Sequence, residues 1–141
     1  MVLPRPVLVV DDETAIAEMI CETLEKQGVR ATHCNDAAQA LIQIEGLRPA
    51  LVITDIMMPA WGSGIDAYKR LRSNKRFKDL PVIFLTGMQV DQARRLVPVG
   101  DPLARLLHKP VKLAVLLQTI RDLTGDRLLP PAVPGKGASH G

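Results

Sequence analysis

Short apolar runs alternate with amphipathic segments along most of this chain. The runs consist of β-branched and aliphatic residues without polar alternation, a pattern typical of strands buried on both faces of a parallel sheet. The five predicted strands lie near residues 7–10, 29–34, 51–54, 81–85 and 104–107. The five predicted helices lie near residues 14–27, 36–46, 64–73, 89–97 and 113–120. This alternation predicts an α/β fold with a doubly wound parallel sheet, (βα)5, and right-handed crossovers.

Polar residues follow four of the five predicted strands. Asp11 and Asp12 follow the first strand, Asp55 the third, Thr86 the fourth and Lys109 the fifth. Ligands of a doubly wound sheet bind at the carboxyl ends of its strands. If the first and third strands are neighbours, as in the flavodoxin-like order 2-1-3-4-5, the three carboxylates lie close together. The sequence therefore predicts one polar site at this edge of the sheet.

The residue types at these strand ends suit phosphoryl transfer. Three carboxylates without a partner repel one another, and Mg²⁺ is the hard cation that prefers a few carboxylates and several waters. The Lys109 ammonium and the Thr86 hydroxyl add groups that can bind an oxyanion. Asp55 would be the nucleophile and would form an acyl phosphate. The alternative for Asp11 and Asp12 is a structural pair that caps the following helix.

The motifs around these residues resemble the receiver domain of bacterial two-component response regulators. They read Val-Leu-Val-Val-Asp-Asp-Glu at 7–13, Leu-Val-Ile-Thr-Asp-Ile-Met-Met-Pro at 51–59, Val-Ile-Phe-Leu-Thr-Gly at 82–87 and His-Lys-Pro at 108–110. The resemblance covers about residues 5 to 125. It implies a signalling switch rather than an enzyme acting on other substrates. Its phosphoryl donor would be a sensor histidine kinase or a histidine phosphotransfer protein, and an unknown downstream protein would read its state.

The resemblance also implies a role for each site residue. Asp55 would accept the phosphoryl group, and Asp12, Asp55 and the backbone carbonyl of Met57 would ligate Mg²⁺. Asp11 would help through a water molecule. Lys109 would bind the phosphoryl group and Thr86 would move toward it, and the peptide bond between Lys109 and Pro110 would be cis.

Two positions depart from the usual pattern of the family. Receiver domains usually carry Tyr or Phe three residues before the lysine, where this chain has Leu106. The loop after Pro59 has Ser63 where a glycine is usual, with Gly64 one residue later, which implies a one-residue insertion. The output mechanism that couples an aromatic residue to the threonine is therefore not expected in its usual form.

Length and composition favour a single domain. The 141 residues are 47% hydrophobic, and no apolar run approaches the roughly 20 residues that span a bilayer. We expect the domain to occupy residues 5–125, followed by a disordered Pro/Gly-rich tail over 126–141, so that the chain is a stand-alone receiver. The absence of a signal-peptide pattern suggests the cytoplasm, where Cys21 and Cys34 would be reduced thiols.

The net charge of +3 hides an uneven distribution. Residues 1–66 hold four basic and ten acidic residues, whereas residues 67–141 hold fourteen basic and five acidic ones. Six of the ten residues from Lys69 to Lys78 are Lys or Arg. Because aromatic residues make up only 3% of the chain, we interpret this stretch as a solvated surface and expect no direct contact with nucleic acid.

Three other functions remain open at this point. A Mg²⁺-dependent phosphatase with an aspartyl nucleophile usually places that nucleophile after the first strand, whereas here the nucleophile follows the third. A flavodoxin-like mononucleotide binder needs a phosphate-binding loop after the first strand, where the acids at 11–13 would repel phosphate. The third possibility is that the chain is a receiver fragment of a DNA-binding response regulator. The tail would then be the linker to the DNA-binding domain.

Overall fold

The computed structural model describes residues 5–56, 64–87, 89–96 and 100–129. Within these residues there are five strands, which are β1 (Val7–Val10), β2 (Ala31–Cys34), β3 (Leu51–Asp55), β4 (Val82–Thr86) and β5 (Ala104–His108). The helices are α1 (Thr14–Lys26), α2 (Ala37–Leu47), α3 (Gly64–Ser73), α4 (Val90–Leu96) and α5 (Leu113–Thr124). Each predicted element is present, with bounds that shift by a few residues at most.

All five strands are parallel and lie in the order β2-β1-β3-β4-β5, which confirms the predicted fold and strand order. In the register of the sheet, Val10 of β1 pairs with Thr54 of β3. Thr86 of β4 pairs with His108 of β5. The residues that follow each pair therefore meet at one edge of the sheet, and these include Asp11, Asp55 and Lys109.

The sheet is covered on both faces, as its uninterrupted apolar strands predict. Val7 and Val9 of β1 point toward α1 and α5, where they pack in one core with Ile20 and Leu116. Leu8 and Val10 pack on the opposite face with α2 and α3. None of the helices in the described part of the chain is both long and apolar enough to cross a bilayer.

The packed chain extends beyond the predicted end of the domain at residue 125. A 3-10 turn covers Gly125–Arg127, and the Leu129 side chain is fully buried in the core formed with α1 and α5. One leucine in a short apolar stretch carries no periodic signal, so the sequence pattern does not indicate this packing. The predicted disorder of residues 130–141 lies outside the described residues.

Both cysteines are buried free thiols. Burial raises the pKa of Cys21 and of Cys34 to about 11, so both thiols are protonated near neutral pH.

Because the thiolate is the nucleophile, we expect iodoacetamide at pH 8 to alkylate the folded protein at least ~100-fold more slowly than the urea-unfolded protein. The alkylation rates of the folded and unfolded protein, measured by intact mass, test this prediction. Equal rates in the two states would contradict it.

Candidate functional site

Three carboxylates converge at the carboxyl ends of β1 and β3. One oxygen from each of Asp11, Asp12 and Asp55 lies within 4.8 Å of the other two. Asp11 and Asp55 are buried, whereas Asp12 is exposed. The adjacency of β1 and β3 brings these residues together, as the sequence predicts. Met57, the fourth predicted metal ligand, lies outside the described residues.

Lys109 is the cation at the centre of this acidic site. Its Nζ lies 2.8 Å from Asp55 Oδ2, 2.9 Å from Glu13 Oε1 and 3.0 Å from Asp11 Oδ2. Burial alone would lower the pKa of Lys109, but the hydrogen bonds to Asp55, Glu13 and Asp11 outweigh it and raise the pKa above the ordinary value. These contacts therefore favour the charged form of Lys109.

The backbone around Lys109 fixes the lysine against the end of β4. The Lys109 N–H donates a 2.7 Å hydrogen bond to the carbonyl oxygen of Thr86. The peptide bond between Lys109 and Pro110 is cis, as the family resemblance implies. Thr86 itself is buried at the end of β4, one residue beyond Leu85, which pairs with Asp55. The predicted lysine and threonine thus belong to the same site as the carboxylates.

Asp11 carries an oxygen that suits a cation. Its Oδ1 accepts a 2.9 Å hydrogen bond from the Glu13 N–H. Its Oδ2 is buried and lies 3.0 Å from the Lys109 ammonium, and no other donor among the described residues reaches it. Burial raises the pKa of Asp11, and the Glu13 N–H and Lys109 act against this effect. A buried carboxylate oxygen that already faces a cation, beside two further carboxylates, fits a hard divalent cation such as Mg²⁺.

The alternative role of Asp11 and Asp12 as a helix cap is wrong. The N-cap residue of α1 is Glu13, and its side chain makes no capping hydrogen bond. Asp11 instead bonds the Glu13 N–H, which lies outside the helix. The side chains of Asp11 and Asp12 are therefore available to the site.

Glu13 is a site residue that the sequence analysis missed. Its carboxylate contacts Lys109, although the Glu13 side chain remains 58% exposed. The only sequence signal is that Glu13 directly continues the acidic pair at the end of β1. Such a position is usually a solvated helix start, so only the position of Lys109 reveals the contact.

Leu106, which replaces the usual aromatic residue, lies beside an aromatic pair. It is partly buried against a cluster that contains Tyr68 of α3 and Phe84 of β4. The two rings form an edge-to-face contact with centroids 5.4 Å apart. Aromatic packing is thus present at this face of the sheet, but Tyr68 comes from α3 rather than from β5.

A family model described as the response regulator receiver domain matches residues 7–121. The chain belongs to this receiver-domain family. Among curated relatives, this receiver is 32% identical over 120 residues to the phosphate regulon transcriptional regulatory protein PhoB of Escherichia coli (strain K12), covering 84% of the chain and 52% of the relative. It is 34% identical over 122 residues to the probable transcriptional regulatory protein TcrX of Mycobacterium tuberculosis, covering 85% and 50%. The receiver therefore spans about half the length of these relatives.

Solved structures show the same fold over nearly the whole of the matched chains. The receiver superposes on the chemotaxis response regulator CheY4 of Vibrio cholerae with a TM-score of 0.75 and 27% identity, covering 86% of this chain and 99% of that one. A response regulator receiver protein from Pseudomonas putida gives a TM-score of 0.71 and 29% identity, covering 86% and 98%. In both cases the match covers nearly the whole of the solved chain.

Proposed function

We propose that this receiver is a phosphorylation-dependent switch that accepts a phosphoryl group on Asp55 from a phosphohistidine. The observation that carries the proposal is the Asp55 carboxylate, which lies 2.8 Å from the Lys109 ammonium and beside the oxygens of Asp11 and Asp12. A nucleophile, a fixed cation and two further carboxylates are thus joined in one site. Phosphoryl transfer needs little more than such positioning and charge neutralisation.

The transfer follows from this geometry. A carboxylate oxygen of Asp55 attacks the phosphorus atom, the P–N bond of the phosphohistidine breaks, and the electron pair and then a proton go to the leaving imidazole. Lys109 neutralises charge on the transferred phosphoryl oxygens, and the Thr86 hydroxyl donates a hydrogen bond to one of them.

Asp11, Asp12 and Asp55 would hold Mg²⁺, together with the Met57 carbonyl expected from the family pattern. When bound, the ion supplies further neutralisation of phosphoryl charge. Lys109 competes for the same carboxylate oxygens, because its ammonium already contacts Asp11 and Asp55. The negative charge of the site is therefore neutralised in part by the fixed Lys109 ammonium and in part by the exchangeable Mg²⁺.

Phosphorylation releases Lys109 from part of its present contacts. Once Asp55 is an acyl phosphate, its negative charge lies on the phosphoryl oxygens, and we expect Lys109 to follow that charge away from Glu13. This change would report the phosphorylated state to a protein partner. The donor would be a sensor histidine kinase or a histidine phosphotransfer protein.

A DNA-binding output is a second arrangement with support among the relatives. PhoB and TcrX are named as transcriptional regulatory proteins, and the receiver spans about half of each. In that arrangement the switch would control an attached DNA-binding domain rather than a separate partner. Gene context distinguishes the two, and the chemistry at Asp55 is the same in both.

The test is incubation with acetyl phosphate and Mg²⁺, followed by intact mass. We expect the wild-type protein to gain one phosphoryl group that hydroxylamine removes, because hydroxylamine cleaves acyl phosphates. Asp55→Asn should gain none, and EDTA should prevent the gain in the wild type. The matched control is Asp122→Asn, an exposed carboxylate on α5, which should be labelled normally.

Two results would refute the proposal. One is a label that persists in Asp55→Asn, and the other is the absence of a label with every small donor and kinase tried. Sustained turnover of a phosphomonoester would instead identify the phosphatase alternative.

A further inference from the structure

A second concave site lies at the opposite edge of the sheet from Asp55. It is a cavity of about 660 Å³, lined in part by residues that come just before four of the strands. These residues are Arg5 before β1, Ala50 before β3, Pro81 before β4 and Leu103 before β5. The cavity therefore sits at the amino ends of the strands, and its volume is in the range of small-molecule sites.

Four arginines from four separate chain segments surround this cavity. They are Arg5, Arg48, Arg76 and Arg127, and all four are exposed to solvent. Among the lining residues that the structure describes, Asp79 is the one acidic residue. We call this site the arginine cavity. Its lining carries a clear excess of positive charge, and it includes part of the basic stretch that the sequence analysis interpreted as a solvated surface.

Two of these arginines are held in place by contacts at the cavity wall. The Arg76 guanidinium lies 5.3 Å from the centroid of the Phe77 ring and pairs with Glu45. Arg127 Nε donates a 2.9 Å hydrogen bond to the carbonyl oxygen of Thr124. The guanidinium of Arg127 is thus oriented by backbone rather than by a carboxylate, which leaves its charge uncompensated by that contact.

Arg5 and Arg48 have no ion pair with any other residue in the described ranges. Arg48 also occupies an unusual backbone position, because it ends α2 with φ of 48° in the left-handed region. Glycine is the favoured residue at such a helix end, and an arginine there is strained. A cationic side chain thus stands at the rim of the cavity at a position where the backbone favours glycine, and strained positions of this kind are found at ligand sites.

The floor of the arginine cavity is apolar. Phe77, Leu80 and Pro81 are buried, and Leu103 and Leu128 are partly buried. A ligand that fills the cavity would therefore place an apolar or aromatic body on this floor and its charges at the arginine rim.

We propose that the arginine cavity binds a small phosphate-bearing molecule of nucleotide size. An arginine guanidinium can donate two parallel hydrogen bonds to two oxygens of one phosphate. Because several arginines surround the arginine cavity, a ligand with more than one phosphate is favoured. A duplex nucleic acid or an extended acidic peptide would contact the rim but leave the apolar floor empty. The proposal is independent of phosphorylation at Asp55, since the two sites occupy opposite edges of the sheet.

The test is isothermal titration with ADP and, separately, with inorganic pyrophosphate, both in EDTA so that the Asp55 site holds no metal. We expect saturable binding of both, with ADP the tighter because its base and ribose cover the apolar floor. Arg48→Gly should weaken ADP binding by about ten-fold, because one charge-assisted contact is lost. The same variant should have an unchanged or higher Tm, since glycine relieves the strained φ.

Arg94→Gln on α4 is the matched control, because Arg94 is exposed but does not line the cavity. It should bind ADP within about two-fold of the wild type, since distant charges are screened at ordinary salt. In NMR spectra, ADP should shift the amide signals of Leu80 and Leu103 and leave those of Asp11 and Asp55 unchanged.

Several results would overturn the proposal. These are no saturable binding of ADP, binding of pyrophosphate but not of ADP, or equal ADP affinity in Arg48→Gly and the wild type. Shifts confined to Asp11 and Asp55 would also overturn it, because they would place the ligand at the other edge.

Discussion

Lys109→Met is expected to lower the free energy of unfolding in EDTA by about 2–3 kcal/mol. The Lys109 ammonium contacts Asp55, Asp11 and Glu13, and its side chain is only 12% exposed. Its removal leaves two buried carboxylates beside each other without a cation. The loss is smaller than that of a fully buried ion pair because Asp11, whose pKa is already raised by burial, can take up a proton.

Mg²⁺ should restore most of the stability that Lys109→Met loses. The variant exposes the same carboxylate oxygens to the metal without a competing ammonium, so it should also bind Mg²⁺ more tightly than the wild type. Urea unfolding with EDTA and with saturating Mg²⁺ measures both effects. Lys112→Met is the control, because Lys112 is an exposed lysine three residues away. A Lys109→Met protein as stable as Lys112→Met in EDTA would contradict the assignment of Lys109 as the site's counter-ion.

Asp101→Ala is expected to destabilise the protein by about 3 kcal/mol. Asp101 precedes β5 and accepts hydrogen bonds from the Tyr68 hydroxyl, from Arg72 Nε at 2.8 Å and from the Leu103 N–H at 2.9 Å. The side chains of Asp101 and Arg72 are each only 16% exposed. Without the carboxylate, the Arg72 guanidinium, which also stacks on the Tyr68 ring at 4.9 Å, would be left as a largely buried and uncompensated charge.

The pH dependence of this effect has a definite sign. Burial acts to raise the pKa of Asp101, but the hydrogen bonds from Tyr68, Arg72 and Leu103 outweigh it and lower the pKa. The stabilisation is therefore present above the ordinary carboxyl pKa of about 4 and is lost as the pH falls below it. The difference in unfolding free energy between wild type and Asp101→Ala should be largest near neutral pH and shrink in acid.

Tyr68 offers a direct spectroscopic check, because it is the only tyrosine in the chain. Burial and the neighbouring Asp101 carboxylate raise the pKa of Tyr68 above its ordinary value. In Asp101→Ala the phenolate absorbance should appear at lower pH than in the wild type, although burial keeps the pKa somewhat raised. The control is Asp122→Ala, whose exposed carboxylate contacts Gln118 on the same helix. That variant should change stability by less than about 0.5 kcal/mol and leave the Tyr68 titration unchanged.

The sequence alone determined the fold and which residues would converge at the candidate site. Uninterrupted apolar strands that alternate with amphipathic helices specify a covered parallel sheet, because local periodicity reflects which faces are buried. Parallel strands place their carboxyl ends at one edge, so Asp11, Asp12, Asp55, Thr86 and Lys109 were predictable from their positions after strands. Their convergence needed only the strand order that the motifs implied.

The tertiary structure alone decided the contacts between residues that are far apart in the chain. Glu13 joins the site because the Lys109 side chain, ninety-six residues later, reaches it. The Asp101 network and the arginine cavity likewise combine segments whose sequences look like ordinary charged surface, and Leu129 joins the core without a periodic signal. Hydrophobic periodicity indicates which face of a helix or strand is buried. Which polar side chains pair with each other depends instead on where the fold places segments that are distant in the sequence. That information exists only once the sheet has fixed the positions of the loops.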